Sequence, residues 1–204
     1  LAVSEGSQQI EQVVSMTVVS LLSDTTTVLV DMSAGDYDPS DIVAHDFDND
    51  NDIDIVYAGN GQINLLVNDG NGNFASPALL YEYDTALSSP QRIFIDLHDF
   101  NGDEIADIVL SSVRNSAPVV LLSQGNNEFN SLQLSQLDQK TYRAGIGDVD
   151  GDGNKDIVHI LADKTILVSY SDGAGSFTAK TTASHLANPY SAIVIEGAPS
   201  KVII

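Results

Sequence analysis

Three stretches of this chain carry carboxylates at a spacing that can hold a metal ion. The first presents Asp46, Asp48, Asp50 and Asp54, the second Asp99, Asn101, Asp103 and Asp107, and the third Asp148, Asp150, Asp152 and Asp156. In a tight loop of this spacing the side chains at positions 1, 3 and 5 converge. Position 7 can turn its carbonyl inward, here that of Asp52, Ile105 or Asn154, and position 9 closes the shell. Hard oxygen donors in that number suit Ca²⁺, which accepts about six to eight of them at relaxed geometry. Zinc or copper would call for His or Cys, which the loops lack. Two to three bound Ca²⁺ are therefore expected. The second loop is the weakest, because Asn101 leaves it three carboxylates where the others present four.

The flanks decide what positions these loops. An EF-hand begins with the same spacing but needs a Glu at position 12 and a helix on either side. Position 12 here is Tyr57, Leu110 and His159, and the neighbouring runs are short and rich in Ile and Val. Strands, not helices, must carry the loops. Laid against itself, the chain repeats: Asp46, Asp99 and Asp148 are separated by 53 and 49 residues. After each loop comes a second apolar run (63–67, 119–122, 166–168), then a Gly- or Asn-rich turn ending in Phe74, Phe129 or Phe177. The reading is four strands per unit: one into the acidic loop, one out of it, a third, then a turn into the fourth. Four-stranded units of about fifty residues, repeated, are the mark of a β-propeller.

These units resemble FG-GAP repeats of the VCBS type, the calcium-binding blades also found in the propellers of integrin α-subunits. The loop, the Ile/Val strand after it and the Gly-x-Phe turn carry the resemblance over residues 41–183, and it fades at both ends. The family usually has Gly at the sixth loop position, whereas this chain has Asn51, Glu104 and Gly153. Asn tolerates a left-handed backbone and Glu does so poorly. The fold expected is an all-β propeller of about four units. It divides into N-terminal blade strands (1–40), three repeats (41–89, 90–140, 141–188) and a partial repeat (189–204). The C-terminal and N-terminal strands could pair into one composite blade and close a small ring. Alternatively, the chain is a piece of a larger propeller.

Composition narrows the partners. The chain has 204 residues, 29 acidic against 8 basic, for a formal charge of −21. So acidic a surface repels phosphate backbones and anionic lipid, which argues against nucleic acid and membrane surfaces. The most apolar stretch, residues 13–30, is interrupted by Ser, Thr and Asp24 and reads as strands, not as a membrane span. The absence of Cys removes disulfides, thiolate metal sites and thiol catalysis. Leu1 reads as the first residue of a processed chain or an excised fragment.

The remaining candidates are mostly structural. His45 and His98 precede their loops and should face away from Asp46 and Asp99, while His159 and His185 stand alone. The three turn Phe residues are expected between blades. Tyr81 and Tyr83 share a strand face and are expected to pack there. No nucleophile motif, zinc-protease motif or phosphate loop is present. Arg92, Arg114 and Arg143 are too scattered to neutralise an acidic polysaccharide. The expected function is a non-catalytic, extracellular calcium-binding propeller acting in adhesion, interaction or assembly. A protein partner or self-assembly is favoured over a glycan, because without Trp the usual stacking platform is missing. The alternative is an accessory or catalytic propeller of a secreted polysaccharide-degrading enzyme, or a lectin.

Overall fold

The computed structural model describes residues 15–19, 26–31, 39–59, 61–83, 92–112, 117–134, 141–183, 193–195 and 201–203. Among them there are sixteen strands and no helix, so no helix is long and apolar enough to cross a membrane. Two compact units are distinguished, Leu1–Asp38 and Pro39–Ile204. The first contains β1 (Ser15–Val19) and β2 (Thr26–Asp31), which pair antiparallel with each other.

The second unit is built from three four-stranded antiparallel sheets, each in simple sequence order. The first sheet comprises β3 (Pro39–His45), β4 (Asp54–Gly59), β5 (Gln62–Leu66) and β6 (Ala78–Glu82). The second comprises β7 (Ile93–His98), β8 (Asp107–Ser112), β9 (Val119–Ser123) and β10 (Phe129–Gln133). The third comprises β11 (Gly145–Gly147), β12 (Asp156–Ile160), β13 (Thr165–Ser171) and β14 (Phe177–Ala183). A further pair, β15 (Ile193–Ile195) and β16 (Lys201–Ile203), forms its own two-stranded sheet. Of the partial repeat expected over 189–204 only these two strands are described, and Arg114 and His185 lie outside the described residues.

At two of the junctions the first strands of successive sheets lie side by side, β3 beside β7 and β11 beside β15. Side chains stitch these inner strands together. Ile93 N–H donates to Ser40 Oγ at 3.1 Å and Ile95 N–H to Asp41 Oδ2 at 2.9 Å. Sequential antiparallel sheets joined through their first strands are propeller blades, and three of them follow one another without closing a ring among the described residues. The fold is thus the all-β, bladed architecture the repeat foretells.

Burial explains why the second and third strands are almost continuously apolar. The second strands are buried along their length, so both sets of alternating side chains are shielded from water. On β8, Ile108 and Leu110 join a core between the first two blades, with Val56, Ile63, Leu65, Ile93, Ile95 and Phe47. Val109, on the opposite face, joins Phe100, Val120, Leu134 and Ile157 between the second and third. Each such side chain contributes roughly 1.5–3 kcal/mol on burial. The blade seams therefore carry most of the favourable packing.

Candidate metal loops and the seams beside them

Each acidic loop joins the first strand of a blade to the second, so strand pairing fixes both its ends. His45 pairs with Asp54 across β3 and β4, and His98 with Asp107 across β7 and β8. Positive φ angles at the fourth position (Asn49 65°, Gly102 77°, Gly151 86°) and the sixth (Asn51 72°, Glu104 67°, Gly153 96°) curl the backbone. The curl turns amides inward onto the first aspartate. Asp46 accepts from Asp50 N at 3.1 Å and Asn51 N at 2.8 Å. Asp99 accepts from Gly102 N at 2.7 Å and Glu104 N at 3.0 Å, and Asp148 from Gly151 N at 2.6 Å and Gly153 N at 3.1 Å. Glu104 therefore adopts the conformation that the family gives to Gly, at a strain of about 1–2 kcal/mol.

In two of the loops the carboxylates converge. Oxygens of Asp46, Asp48 and Asp50 lie within 4.8 Å of one another, and so do those of Asp148, Asp150 and Asp152. Oxygens on opposite sides of a Ca²⁺ ion, each about 2.3–2.6 Å from it, would be separated by roughly the same span. The donor set, all hard oxygen, fits that ion. The second loop brings together Asp99, Asn101 and Asp103, of which only two are carboxylates. Asn101 Nδ2 donates to Asp103 Oδ2 at 3.0 Å.

The ninth-position aspartates do something the spacing alone does not reveal. Asp54, Asp107 and Asp156 are fully buried at the start of the second strand. Both oxygens of each accept a backbone N–H, one from the loop and one from the end of the third strand or, in the first blade, from just beyond it. Asp54 accepts from Phe47 at 3.1 Å and Asn68 at 2.9 Å, Asp107 from Phe100 and Ser123, both at 2.7 Å, and Asp156 from Val149 at 2.7 Å and Ser171 at 3.0 Å. They latch the loop to its blade. A carboxylate oxygen has more than one lone pair, so latching and ligation are compatible. Burial is the main force raising all three above the ordinary carboxylate range, and the neighbouring loop aspartates add to it. Asp107 is pushed up to about 6. A cation beside them would relieve the charge repulsion.

The seventh-position residues Asp52, Ile105 and Asn154 lie against the turn between third and fourth strands. Gly70 and Gly173 hold a left-handed backbone (φ 72° and 70°) that favours Gly, and a Cβ there would also press on the Asp52 carboxylate and the Asn154 amide. Ile105 is buried and stands 3.9 Å from the equivalent point on Gly125.

Contacts from the next blade complete the surroundings, and sequence reasoning missed several of them. Asn127, in the turn of the second blade, donates from Nδ2 to Asp48 Oδ2 of the first loop at 2.7 Å. The corresponding residue of the third blade is Gly175, whose N–H donates to the Phe100 carbonyl at 3.0 Å. The Phe packing expected between blades is present for two of the three turn residues. Phe129 meets Phe47 edge-on at 5.9 Å and Phe177 meets Phe100 at 5.3 Å, each pair crossing a seam. His45 and His98 stack edge-on against Phe47 and Phe100. Tyr81 and Tyr83 share a face, with ring centroids 5.0 Å apart. His159 does not stand alone: fully buried on β12, it shares a 3.0 Å hydrogen bond between Nε2 and Ser111 Oγ of β8. Arg143 reaches from the third repeat to Asp96 on β7, forming an ion pair at 2.8 Å.

Repeated four-stranded blades with an acidic loop between their first two strands define a class of bladed repeat proteins. Residues 46–110 and 99–159 match the FG-GAP-like repeat family, and together these matches span more than half of the chain. The chain belongs to that family. No curated protein matches it by sequence. Among solved structures it is similar to an Agrocybe aegerita lectin described as recognising non-reducing terminal N-acetylglucosamine. The identity is 24%, with a TM-score of 0.48, over 70% of this chain and 39% of the lectin chain. This chain thus spans well under half the length of that structure.

Proposed function

We propose that this chain is a non-catalytic, calcium-binding propeller module of an extracellular or cell-surface protein, presenting a rigid surface to a protein partner or to like modules. The observation that carries the reading is the convergence of carboxylates at one loop position in two repeated blades. Asp46, Asp48 and Asp50, and likewise Asp148, Asp150 and Asp152, would hold the ion, and the latch aspartates would keep the loop in register with its blade. When bound, Ca²⁺ neutralises carboxylates that otherwise repel one another. A ligand that binds only the folded loop stabilises the fold by RT ln(1 + [Ca²⁺]/Kd). At extracellular calcium and the affinities typical of extracellular modules, this is on the order of 1 kcal/mol per site. The chain has no disulfide to supply that stability in another way.

The experiment is calorimetry of calcium binding, together with melting in EDTA and in excess Ca²⁺. Bound calcium and a melting temperature several degrees lower in EDTA, restored by Ca²⁺, support the reading. Asp152→Ala should remove one ion and leave the rest. Absence of both calcium binding and an EDTA effect would overturn it. Calcium-dependent self-association or capture of a defined surface protein supports the interaction role. Turnover of any member of a polysaccharide panel would assign the chain to enzymes instead.

A further inference from the structure

Three Asn–Gly steps occur in the chain, at 60–61, 71–72 and 101–102. In such a step the backbone nitrogen of the glycine can attack the asparagine side-chain carbonyl carbon, because glycine has no Cβ to obstruct the approach. A nitrogen–carbon bond forms, the bond from that carbon to the side-chain NH₂ breaks, and ammonia leaves with the proton given up by the backbone nitrogen. Water then opens the cyclic imide on either side, leaving aspartate or its β-linked isomer, isoaspartate. The reaction needs a glycine N–H that nothing engages and a side chain able to swing over it. Asn60 lies outside the described residues, and the other two steps differ in both respects.

Asn71 and Gly72 are exposed in the turn between β5 and β6. Among the described residues no hydrogen bond engages the Gly72 N–H, and nothing stands within 4 Å of where a Cβ on Gly72 would lie. The turn is clamped through other atoms. Asp69 accepts from Asn71 N at 2.9 Å, Asn73 N at 3.1 Å and Asn73 Nδ2 at 2.8 Å. The Asn71 side chain makes one exposed hydrogen bond, from Nδ2 to the Asp69 carbonyl at 3.1 Å, which it gives up to reach Gly72. At 101–102 both reacting groups are held. Gly102 N–H donates to Asp99 Oδ1 at 2.7 Å. The Asn101 amide accepts from Asp103 N at 3.0 Å and donates to Asp103 Oδ2 at 3.0 Å and to the Ser123 carbonyl at 3.1 Å. The sibling turns lack the step: Asn126 is followed by Asn127, and Ala174 stands where the first blade has Asn71.

We propose that Asn71 is a deamidation site. It converts at least about tenfold faster than Asn101, where a hydrogen bond to a carboxylate must break before the glycine nitrogen can react. Each conversion adds a negative charge to a turn whose Gly70 backs onto Asp52 of the first acidic loop. The β-linked product also adds a methylene to the main chain, inside the span that the Asp69 N–H closes on the Asn73 carbonyl at 3.0 Å, and so loosens the turn. None of this depends on the calcium reading.

The test is incubation of the whole chain in warm, mildly alkaline buffer, followed by peptide mass mapping and isoaspartate-specific methylation. The peptide containing Asn71 should gain one mass unit and become methylatable, with Asn101 at least about tenfold slower. In denaturant the two steps should convert at similar rates. Asn71→Ala copies the third blade, where Asp172 accepts from Ala174 N and Ser176 N, both at 2.9 Å, in the same clamp. That variant should fold and lose the signal. Converted wild type should melt below fresh protein, whereas incubated Asn71→Ala should not. No conversion at Asn71, or conversion of Asn101 at the same rate in the folded chain, would overturn the proposal. A rate difference that persists in denaturant would remove its structural cause. Equal melts of converted and fresh protein would overturn the loosening of the turn.

Discussion

The seam between the first and second blades and the seam between the second and third use the same repeat positions with different chemistry. Both have an edge-on Phe pair at the loop end. The first is broad and apolar, with Phe47, Val56, Ile63, Leu65, Ile93, Ile95, Ile108 and Leu121 in one continuous core. Its polar links join Ile93 to Ser40, Ile95 to Asp41 and Asn127 to Asp48, the last of which touches a candidate cation loop. The second seam has a smaller apolar core and is tied by polar pairs, Ser111 to His159 and Asp96 to Arg143. It also contains a cleft of about 260 Å³, bordered by His98, Phe100, Gly102, Asn154, Lys155 and Gly173. One repeat can therefore make two seams of different chemistry, one with a broad apolar core that reaches a candidate cation loop and one that buries an imidazole beside an ion pair.

The largest effect should come from removing the Phe anchors. Large-to-small truncation of a buried Phe costs about 3–5 kcal/mol, and more where the surroundings cannot collapse. Phe47→Ala, in the continuous core, should lie at the top of that range. Phe100→Ala, beside the cleft, should lie at the bottom. Equal denaturant midpoints for the two variants, at unchanged m, would dissolve the distinction between the seams.

Acid should act on the second seam. Burial lowers the folded-state pKa of His159 from its ordinary value of 6.5 to about 3. The unfolded chain therefore binds a proton that the folded one refuses. The neutral buried imidazole's contribution is fully present above pH 6.5 and is lost between there and about 3. The loss is about 1.4 kcal/mol for each pH unit below 6.5. In melts from pH 7 to 5, His159→Gln should show a shallower decline than wild type. Parallel curves would mean that this seam carries no proton sensitivity.

A smaller effect belongs to the first seam. Asn127→Ala removes a hydrogen bond to a carboxylate, worth about 1.5–3 kcal/mol when the carboxylate is buried and less at the half-buried Asp48. Its cost should be greater in EDTA than in excess Ca²⁺, because the ion also neutralises Asp48. The difference between the two melting shifts measures this, and identical shifts would detach the seam from the loop.

The smallest effect is a gain. Glu104→Gly should relieve the left-handed strain in the second loop and stabilise by up to about 1 kcal/mol, less the added freedom of Gly in the unfolded chain. A urea midpoint at or below wild type would show that the Glu104 side chain compensates for its backbone.

The blades, the loop positions and the seam placement of Phe129 and Phe177 were legible in the sequence because they repeat, and repetition fixes register without a structure; their partners Phe47 and Phe100 were not. The latch was within reach as well. An aspartate heading the all-apolar second strand, as Asp107 heads 108–110, must find partners when buried, and backbone amides are the nearest ones. What could not be read were the seam contacts. Ser111 and His159 lie 48 positions apart, and Asp48 and Asn127 lie 79 apart, with no local pattern linking them. Only the lateral placement of the blades brings them together.

The latch also bears on the order in which the protein acquires its structure. Its partners are only 7 and 14 to 16 residues away, whereas the polar seam pairs are 47 to 79 apart. Closing the longer loops costs about 1 kcal/mol or more in chain entropy beyond the shorter ones. A blade can therefore tie its own loop to its own third strand while its neighbour is still unformed. Contacts so local favour rapid closure, and a chain leaving the ribosome would complete each blade in turn. The seams would then zip from the first blade towards the last, each new sheet meeting a partner already shaped to receive it.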